Sequence, residues 1–391
     1  MNIVLFDDPL IRQDLMPFTF TRPVGNLRVG IQTIDEKWSS YSKTSCSFHT
    51  VAYLREKFPP SSGDGLFING AVCPDNNLWQ AISSLSSGES LMHEKRLVAV
   101  RGSSPESTAK TRAYPGGVSW IDQVWKIFQH NAEQINADFA RLTRNQTSKG
   151  VTDPHTRVYQ PGNIFIEEGV QLNACVLNAS TGPIYLARGS QVQEGALIRG
   201  PFSLGEESVV NMGAKIKGDT TIGPHCKVGG EISNSILYGY SNKAHDGFLG
   251  NSVIGEWCNL GADTNTSNLK NNYEDVKIWN YRNGGFTSTG LMFCGLMMGD
   301  HSKCGINTMF NTGTVVGVGA NIFGDGFPRN FIPGFAWGGA AGFTTFQLKK
   351  VIDTAIKVME RRKITMSEVE KRILESVFSN TAGERVWEKS S

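Results

Sequence analysis

Leu186, Val192, Ile198, Leu204, Val210, Ile216, Ile222 and Val228 are aliphatic and follow one another at intervals of six. The positions between them are mostly polar, small or glycine. A helix repeats its buried face every 3.6 residues and a half-buried strand every 2, so neither produces this period. A period of six is that of a parallel β-helix, in which one hexapeptide supplies a short flat strand and a corner and three complete a triangular coil. The aliphatic residue points inward, and the next coil stacks on it at about 4.8 Å. Gly195, Gly200, Gly205, Gly213, Gly218 and Gly223 fall near the corners, where the backbone turns sharply. The repeat begins irregularly over Val158–Leu177, slips after Val228, and resumes at Phe248, Ile254 and Leu260. It breaks again over a polar excursion, Thr266–Cys294, and returns as Met298, Cys304, Phe310, Val316 and Ile322. Excursions of this kind are loops on the outside of the prism, where sites are commonly built.

The N-terminal part follows another pattern. Ile3–Phe6, Leu66–Asn69 and Leu97–Arg101 read as strands, with helical or mixed patterns over Ile31–Tyr41, Val51–Lys57 and Leu78–Leu85. Such alternation predicts an open, mostly parallel α/β sheet. Residues 102–117, rich in Ser, Pro, Gly and Thr, read as a loop, and Val118–Leu142 as a helical connector with one broad apolar face. At the other end, Phe346–Arg361 forms a helical stripe. Thr365-x-x-Glu368 offers a capping box for a second helix carrying Val369, Ile373, Leu374 and Val377. These helices are expected to cover the last coil, whose open strand edges would otherwise invite aggregation. The expected organisation is an α/β domain over 1–115, a connector over 116–150, a left-handed β-helix over 151–340 and C-terminal helices over 341–391.

Charge and composition narrow the function classes. A formal net charge of +2 gives no electrostatic case for nucleic acid or membrane, and no apolar run approaches the length of a transmembrane helix. The first residues, MNIVLFDD, lack the basic start and long apolar core of a signal peptide, so a cytoplasmic location is expected. Seven cysteines without a CxxC pair read as reduced thiols, and no zinc or other metal site is expected from them.

Two segments carry resemblances. Leu15-x-Pro17-x-Thr19, Thr21-Arg22-Pro23 and Leu27-Arg28-Val29-Gly30 resemble the opening of the sugar-phosphate nucleotidyltransferases. Their glycine-rich nucleotide loop is replaced here by Asp7-Asp8-Pro9-Leu10-Ile11-Arg12, and their magnesium-holding aspartate by the turn Asn69-Gly70-Ala71. The resemblance implies a reduced nucleotidyltransferase-like domain in which Arg22 and Arg28 are the nucleotide-phosphate candidates. Mg²⁺ would be required only if that domain is active.

The second segment is Lys243-Ala244-His245-Asp246-Gly247-Phe248-Leu249-Gly250, followed by Val253-Ile254-Gly255 and Asn259-Leu260-Gly261-Ala262-Asp263-Thr264-Asn265-Thr266-Ser267-Asn268-Leu269. It resembles the acetyltransferase half of the bifunctional UDP-N-acetylglucosamine pyrophosphorylase / glucosamine-1-phosphate N-acetyltransferase family, over roughly 185–325. The resemblance implies acetyl transfer from acetyl-CoA to the amine of an amino-sugar phosphate or nucleotide sugar, with His245 as general base. Imidazole titrates near neutrality and suits removal of the amine proton. It further implies that Lys217, Asn268, Lys277 and Lys243 meet the sugar substrate. Backbone near Ala262, Gly305, Gly313 and Gly317 would hold the acyl-CoA arm, in a groove shared between subunits of a homotrimer. Phe248 stands where the family has a tyrosine, and Asp263 where a small residue is usual. Two alternatives stay open: nucleotidyl transfer by the N-terminal domain, and a non-catalytic trimeric scaffold that binds sugar nucleotides.

Overall fold

The computed structural model describes residues 2–390. The chain divides into two compact units. One runs to Arg28 and then from Gln32 to Lys126; the other comprises Val29–Ile31 and the chain from Ile127.

The first unit is built on a six-stranded sheet. Asn2–Phe6 pairs in parallel with Cys46–His49 on one side and Gly65–Asn69 on the other. Gly65–Asn69 is antiparallel to Arg96–Gly102, which is antiparallel to Glu89–His93. The sheet is therefore mixed rather than mostly parallel: Glu89–His93 turns back directly onto Arg96–Gly102, which leaves no room for a crossover helix. The segment read as a loop holds the edge strand Lys110–Ala113, parallel to Glu89–His93. Its side chains are largely exposed, so it joins the sheet through backbone bonds and leaves little hydrophobic signature. Val51–Lys57 supplies only the single turn Ala52–Leu54. The expected continuous connector is a short strand, Ser119–Trp120, followed by two helices, Val124–Gln129 and Asn131–Leu142, separated at His130.

The second unit is a left-handed β-helix with C-terminal helices. Its first face is a nine-stranded parallel sheet running from Ile164–Ile166 to Phe331–Ile332. Its second face runs from Gln171–Leu172 to Ala336–Gly339 and closes with the antiparallel strand Gly342–Thr345. The third runs from Arg157–Tyr159 to Phe248–Gly250, and further along Asn265–Thr266 pairs with Met309–Phe310. Every aliphatic residue of the strict six-residue series is buried in one continuous core. Each such side chain contributes about 1.5–3 kcal/mol when fully buried. Serines at the corner between the first and second faces knit successive coils. Ser208 Oγ donates to the Gly223 carbonyl at 2.7 Å and accepts from the Cys226 amide at 2.9 Å, and Ser241 and Ser302 repeat the arrangement.

The phase slip after Val228 comes from a shortened coil: the next inward residues, Ile232 and Leu237, follow at four and five residues instead of six and pair in register with Ile216 and Ile222. The inward residue on the second face of the next coil is Lys243, paired in register with Val228 and 1% exposed. The coil then resumes inward at Leu249, not Phe248: Leu249 is fully buried while Phe248 is half-exposed. At the C-terminus, Leu348–Glu360 and Glu368–Asn380 are helices. The capping box of the second lies two residues beyond the expected pair: Ser367 accepts from the Glu370 amide, and the Glu370 carboxylate accepts from the Ser367 amide at 2.9 Å. Phe378 packs edge-on against Phe335 of the last coil at 4.9 Å, so this helix does cover the coil end. All seven cysteines are free. Among the described residues no helix is long and apolar enough to cross a membrane.

Candidate functional site

His245 sits on the corner between the second and third faces, with its side chain exposed. Two features fix that corner. Gly247 has φ +114°, and a Cβ there would lie 2.2 Å from the Thr264 carbonyl of the next coil, so only glycine closes this turn. Lys243, inside the prism, sends its ammonium outward under the corner. Nζ donates to the carbonyls of His245, of Asp246 at 3.1 Å and of Gly229 at 3.4 Å. An ammonium needs three acceptors and is costly to bury without them; here the carbonyls of His245 and of the residue after it supply two, and Gly229 the third. Burial pulls the Lys243 pKa from 10.5 down to about 8, against the opposing pull of Asp246. Lys243 thus lies behind the corner rather than facing outward with its neighbours.

A cavity of about 720 Å³ runs over the second face, from the first corner to His245. Tyr240 and Trp257 form its wall at the first corner, where His225, Tyr240 and Trp257 stack coil upon coil at 4.8 and 4.1 Å. His245, Ala262 and Ile306 line the far edge, and Thr354, Val358, Arg361 and Arg362 of the C-terminal region line it too. The floor carries the outward residues of the second face, Lys227, Asn242, Asn259 and Lys303. Four cations and no carboxylate line this groove. Arg362 is held by Asn242 at 3.2 Å, and Lys303 donates to the His301 carbonyl at 2.9 Å. Burial lowers the Lys303 pKa. A one-sign cluster on low-dielectric walls favours a polyanionic ligand.

The third face carries the other candidates. Lys217 Nζ is 2.6 Å from Glu231 Oε1, with the lysine 63% exposed. Glu231 lies directly beneath Phe248, one step from the His245 corner. Asn268 Nδ2 donates to Asn251 Oδ1 at 2.7 Å, and the Asn268 amide also lies against Gly250. Lys277 is exposed at the start of the hairpin Lys277–Asn280/Gly285–Ser288. The backbone candidates separate: Ala262 and Gly305 share the His245 corner, Gly313 is on the corner between third and first faces beside the Lys277 carbonyl, and Gly317 is on the corner between first and second, against Gly334. The fold does not bring those four glycine and alanine positions into one groove.

The reading from sequence missed Lys227, Lys303, Arg361 and Arg362. Lys227 and Lys303 precede inward residues of the second face, so the outward column Lys227, Asn242, Asn259, Lys303 was present in the repeat. Nothing local marks the two arginines, which follow the helix Leu348–Glu360 and reach the groove only through its packing.

In the first unit, Asp8 caps the helix Pro9–Asp14, accepting from Leu10 and Ile11. Arg12 is buried against Asp7 at 3.0 Å and donates to the carbonyls of Thr19 and Arg22 and to the Tyr53 hydroxyl. Thr50 and the Val24 amide also donate to Asp7, at 2.5 and 2.8 Å, while burial raises its pKa. Segment 7–12 is thus a capped helix rather than an open phosphate loop. Arg22 is buried and Arg28 half-buried. At the turn Asn69-Gly70-Ala71, which stands in place of a magnesium-holding aspartate, the Asn69 amide is spent on the Leu97 carbonyl and the Ala71 amide, and nearby Asp75 caps the helix Asn76–Ser83. This donor set lacks the carboxylate that a hard cation needs and does not fit Mg²⁺.

Residues 3–147 match the family described as sugar nucleotidyl transferase. Among curated proteins, the chain is 36% identical over 87 residues to the "Bifunctional protein GlmU" of Methanocaldococcus jannaschii, a match covering 22% of this chain and 21% of that one. It is 33% identical over 93 residues to a "Bifunctional sugar-1-phosphate nucleotidylyltransferase/acetyltransferase" of Sulfurisphaera tokodaii, covering 24% and 23%. The chain therefore spans about a fifth of the length of the curated relatives it matches. A solved Arabidopsis UDP-N-acetylglucosamine acyltransferase aligns over 56% of this chain and 78% of its own, at 18% identity and TM-score 0.24. The names of these relatives are those of transferases, and the chain resembles the bifunctional GlmU-like proteins over less than a quarter of its length, with the sugar nucleotidyl transferase match over residues 3–147 beside it.

Proposed function

We propose that this GlmU-like chain is an acyl-CoA-dependent N-acetyltransferase acting on an amino-sugar phosphate or nucleotide sugar, with His245 as general base. The observation that carries this reading is the exposed imidazole at the edge of a groove holding four cations and no acid. Acyl-CoA is a long polyanion with a neutral reactive end. Lys227, Lys303, Arg361 and Arg362 suit its phosphates, and the thioester then lies toward the His245 edge, near the backbone of Gly261 and Ala262. The sugar approaches from the third face, where Lys217 and Lys277 offer charge to a phosphate and Asn268 offers an amide to a hydroxyl or carbonyl.

In the reaction, the neutral imidazole takes a proton from the sugar amine as its nitrogen attacks the thioester carbon. The new C–N bond forms, the C–S bond breaks, and the thiolate leaves with a proton returned from the imidazolium. Lys243 holds the carbonyls of His245 and Asp246 and Asn211 holds that of Ala244, so the corner does not drift as charge appears on the ring. The name of the Sulfurisphaera tokodaii relative supports acetyl as the group moved, and the homotrimer rests on the family resemblance alone.

The test is incubation with acetyl-CoA and a panel of amino-sugar phosphates and amino nucleotide sugars, following free thiol. Acceptor-dependent thiol release is expected; none with any amine acceptor rejects the reading. A second reading, sugar-1-phosphate nucleotidyl transfer, is favoured by the family match over residues 3–147. It predicts magnesium-dependent pyrophosphate release from a nucleoside triphosphate and a sugar 1-phosphate. The closed Asp7–Arg12 segment and the missing carboxylate beside Asn69 weigh against it.

A further inference from the structure

A second cavity, of about 740 Å³, lies at the C-terminal end of the β-helix and shares no lining residue with the His245 groove. Trp279 and Tyr281 of the external hairpin and Phe331 of the last coil line it, with Phe343 of the final strand and Trp387 of the C-terminal segment. Trp279 lies flat on Phe331 at 4.1 Å, and Tyr281 meets Phe331 edge-on at 5.6 Å. The C-terminal segment is fastened: Trp387 Nε1 donates to Thr345 Oγ1 at 2.8 Å, and buried Arg385 donates to Glu388 at 3.0 Å and Thr381 at 3.1 Å.

Two polar atoms in this aromatic chamber are buried without a hydrogen-bond partner among the described residues: Trp279 Nε1, a donor, and Glu384 Oε2. Burial holds the Glu384 carboxyl up at about 7, despite the adjacent Arg385. Leaving such groups unpaired costs about 1–3 kcal/mol each, and native structures do so chiefly where a ligand completes them. At the rim Arg329 is exposed, and Gly342, with nothing where a side chain would stand, leaves the backbone open to close approach.

We propose that this cavity binds a nucleotide. Aromatic walls select a flat ring. The indole N–H of Trp279 and a carboxyl oxygen of Glu384, on two residues that line this cavity, offer a donor and an acceptor, which a nucleobase edge answers and a plain aromatic ring does not. The volume exceeds that of one ring system and lies in the range of ligand sites, so a ribose and phosphate follow the base toward Arg329. Base recognition is by Trp279 and Glu384, and phosphate recognition by Arg329. The site is distinct from the acyl-CoA groove and does not depend on acetyl transfer.

The free nucleotide and the nucleotide half of CoA share this chemistry, and titration calorimetry on the full chain separates them, with ADP, UDP and CoA as probes. At least one of ADP and UDP is expected to bind saturably. Glu384→Gln, close in shape to the native residue, and Trp279→Phe, which keeps one aromatic ring and removes the N–H, each weaken it at least about tenfold, while Arg361→Ser with Arg362→Ser leaves it unchanged. CoA is expected to show the reverse dependence. Absence of saturable ADP and UDP binding below about 1 mM, on the order of the weakest specific affinities, overturns the proposal. So does nucleotide binding indifferent to both Glu384→Gln and Trp279→Phe, or lost with the groove arginines instead.

Discussion

Replacing Lys243 with methionine is expected to stabilise the β-helix at neutral pH while impairing the chemistry beside it. Lys243 occupies an inward position where neighbouring coils place Val228 and Leu260. Its pKa falls from 10.5 to about 8 because burial disfavours the ammonium. At about 1.4 kcal/mol per pH unit, that corresponds to on the order of 3 kcal/mol at pH 7. Methionine has a similar unbranched shape and carries no charge. Against this gain stand the lost contacts to three carbonyls, but those of His245 and Asp246 lie on an exposed corner where water replaces the ammonium, at about 1 kcal/mol or less each. The net is about 1–2 kcal/mol in favour of Lys243→Met, or roughly 2–6 °C in Tm for a unit of this size. The pH dependence is the sharper readout. Below about 8 both folded and unfolded wild type hold the proton, and the folded state bears the whole cost. As pH rises through 8 the folded state releases it while the unfolded chain, titrating near 10.5, does not, so wild-type stability climbs with pH. Thermal unfolding by circular dichroism is therefore expected to show the variant ahead at pH 7 and the gap closing by about pH 10. A variant less stable at pH 7, with a gap that pH does not change, refutes the reasoning.

Gly247→Ala combines a left-handed φ of +114° with a Cβ 2.2 Å from the Thr264 carbonyl, and is expected to lower stability by at least about 2 kcal/mol in denaturant titration. Arg361→Ser with Arg362→Ser removes two of the four groove cations; CoA affinity is expected to fall about tenfold or more and to become less sensitive to added salt, both read by calorimetry. Arg12→Met leaves Asp7 buried without its cation, and a loss of about 3–5 kcal/mol in first-unit stability is expected in chemical denaturation.

The β-helix was legible because its inward positions repeat one residue class at a fixed spacing, and that spacing excludes other folds. The legibility failed where the column itself changes chemistry. Lys243 reads as an outward residue, and the step from Leu249 to Ile254 is five residues instead of six, so counting back from Ile254 lands on Phe248 instead of Leu249. What holds a lysine there is a set of backbone carbonyls, and carbonyls have no sequence signature. The edge strand Lys110–Ala113 was hidden for the same reason, since it joins its sheet through the backbone and exposes its side chains. The motif around His245 singles that residue out, and its exposed corner position follows from the motif's place in the coil, while its role as base is a proposal. The groove beside it was only half legible. Lys227 and Lys303 stand one residue before inward positions and belong to a readable outward column, whereas Arg361 and Arg362 come from a helix whose docking is a tertiary event.

The most direct measurement compares wild type with His245→Gln, following thiol release from acetyl-CoA with an amino-sugar phosphate acceptor and CoA affinity in the same preparations. Loss of the base is expected to cut turnover about 10²-fold or more while CoA affinity stays within about twofold, because the groove cations are untouched. Equal turnover in the two proteins would contradict an imidazole base at this corner.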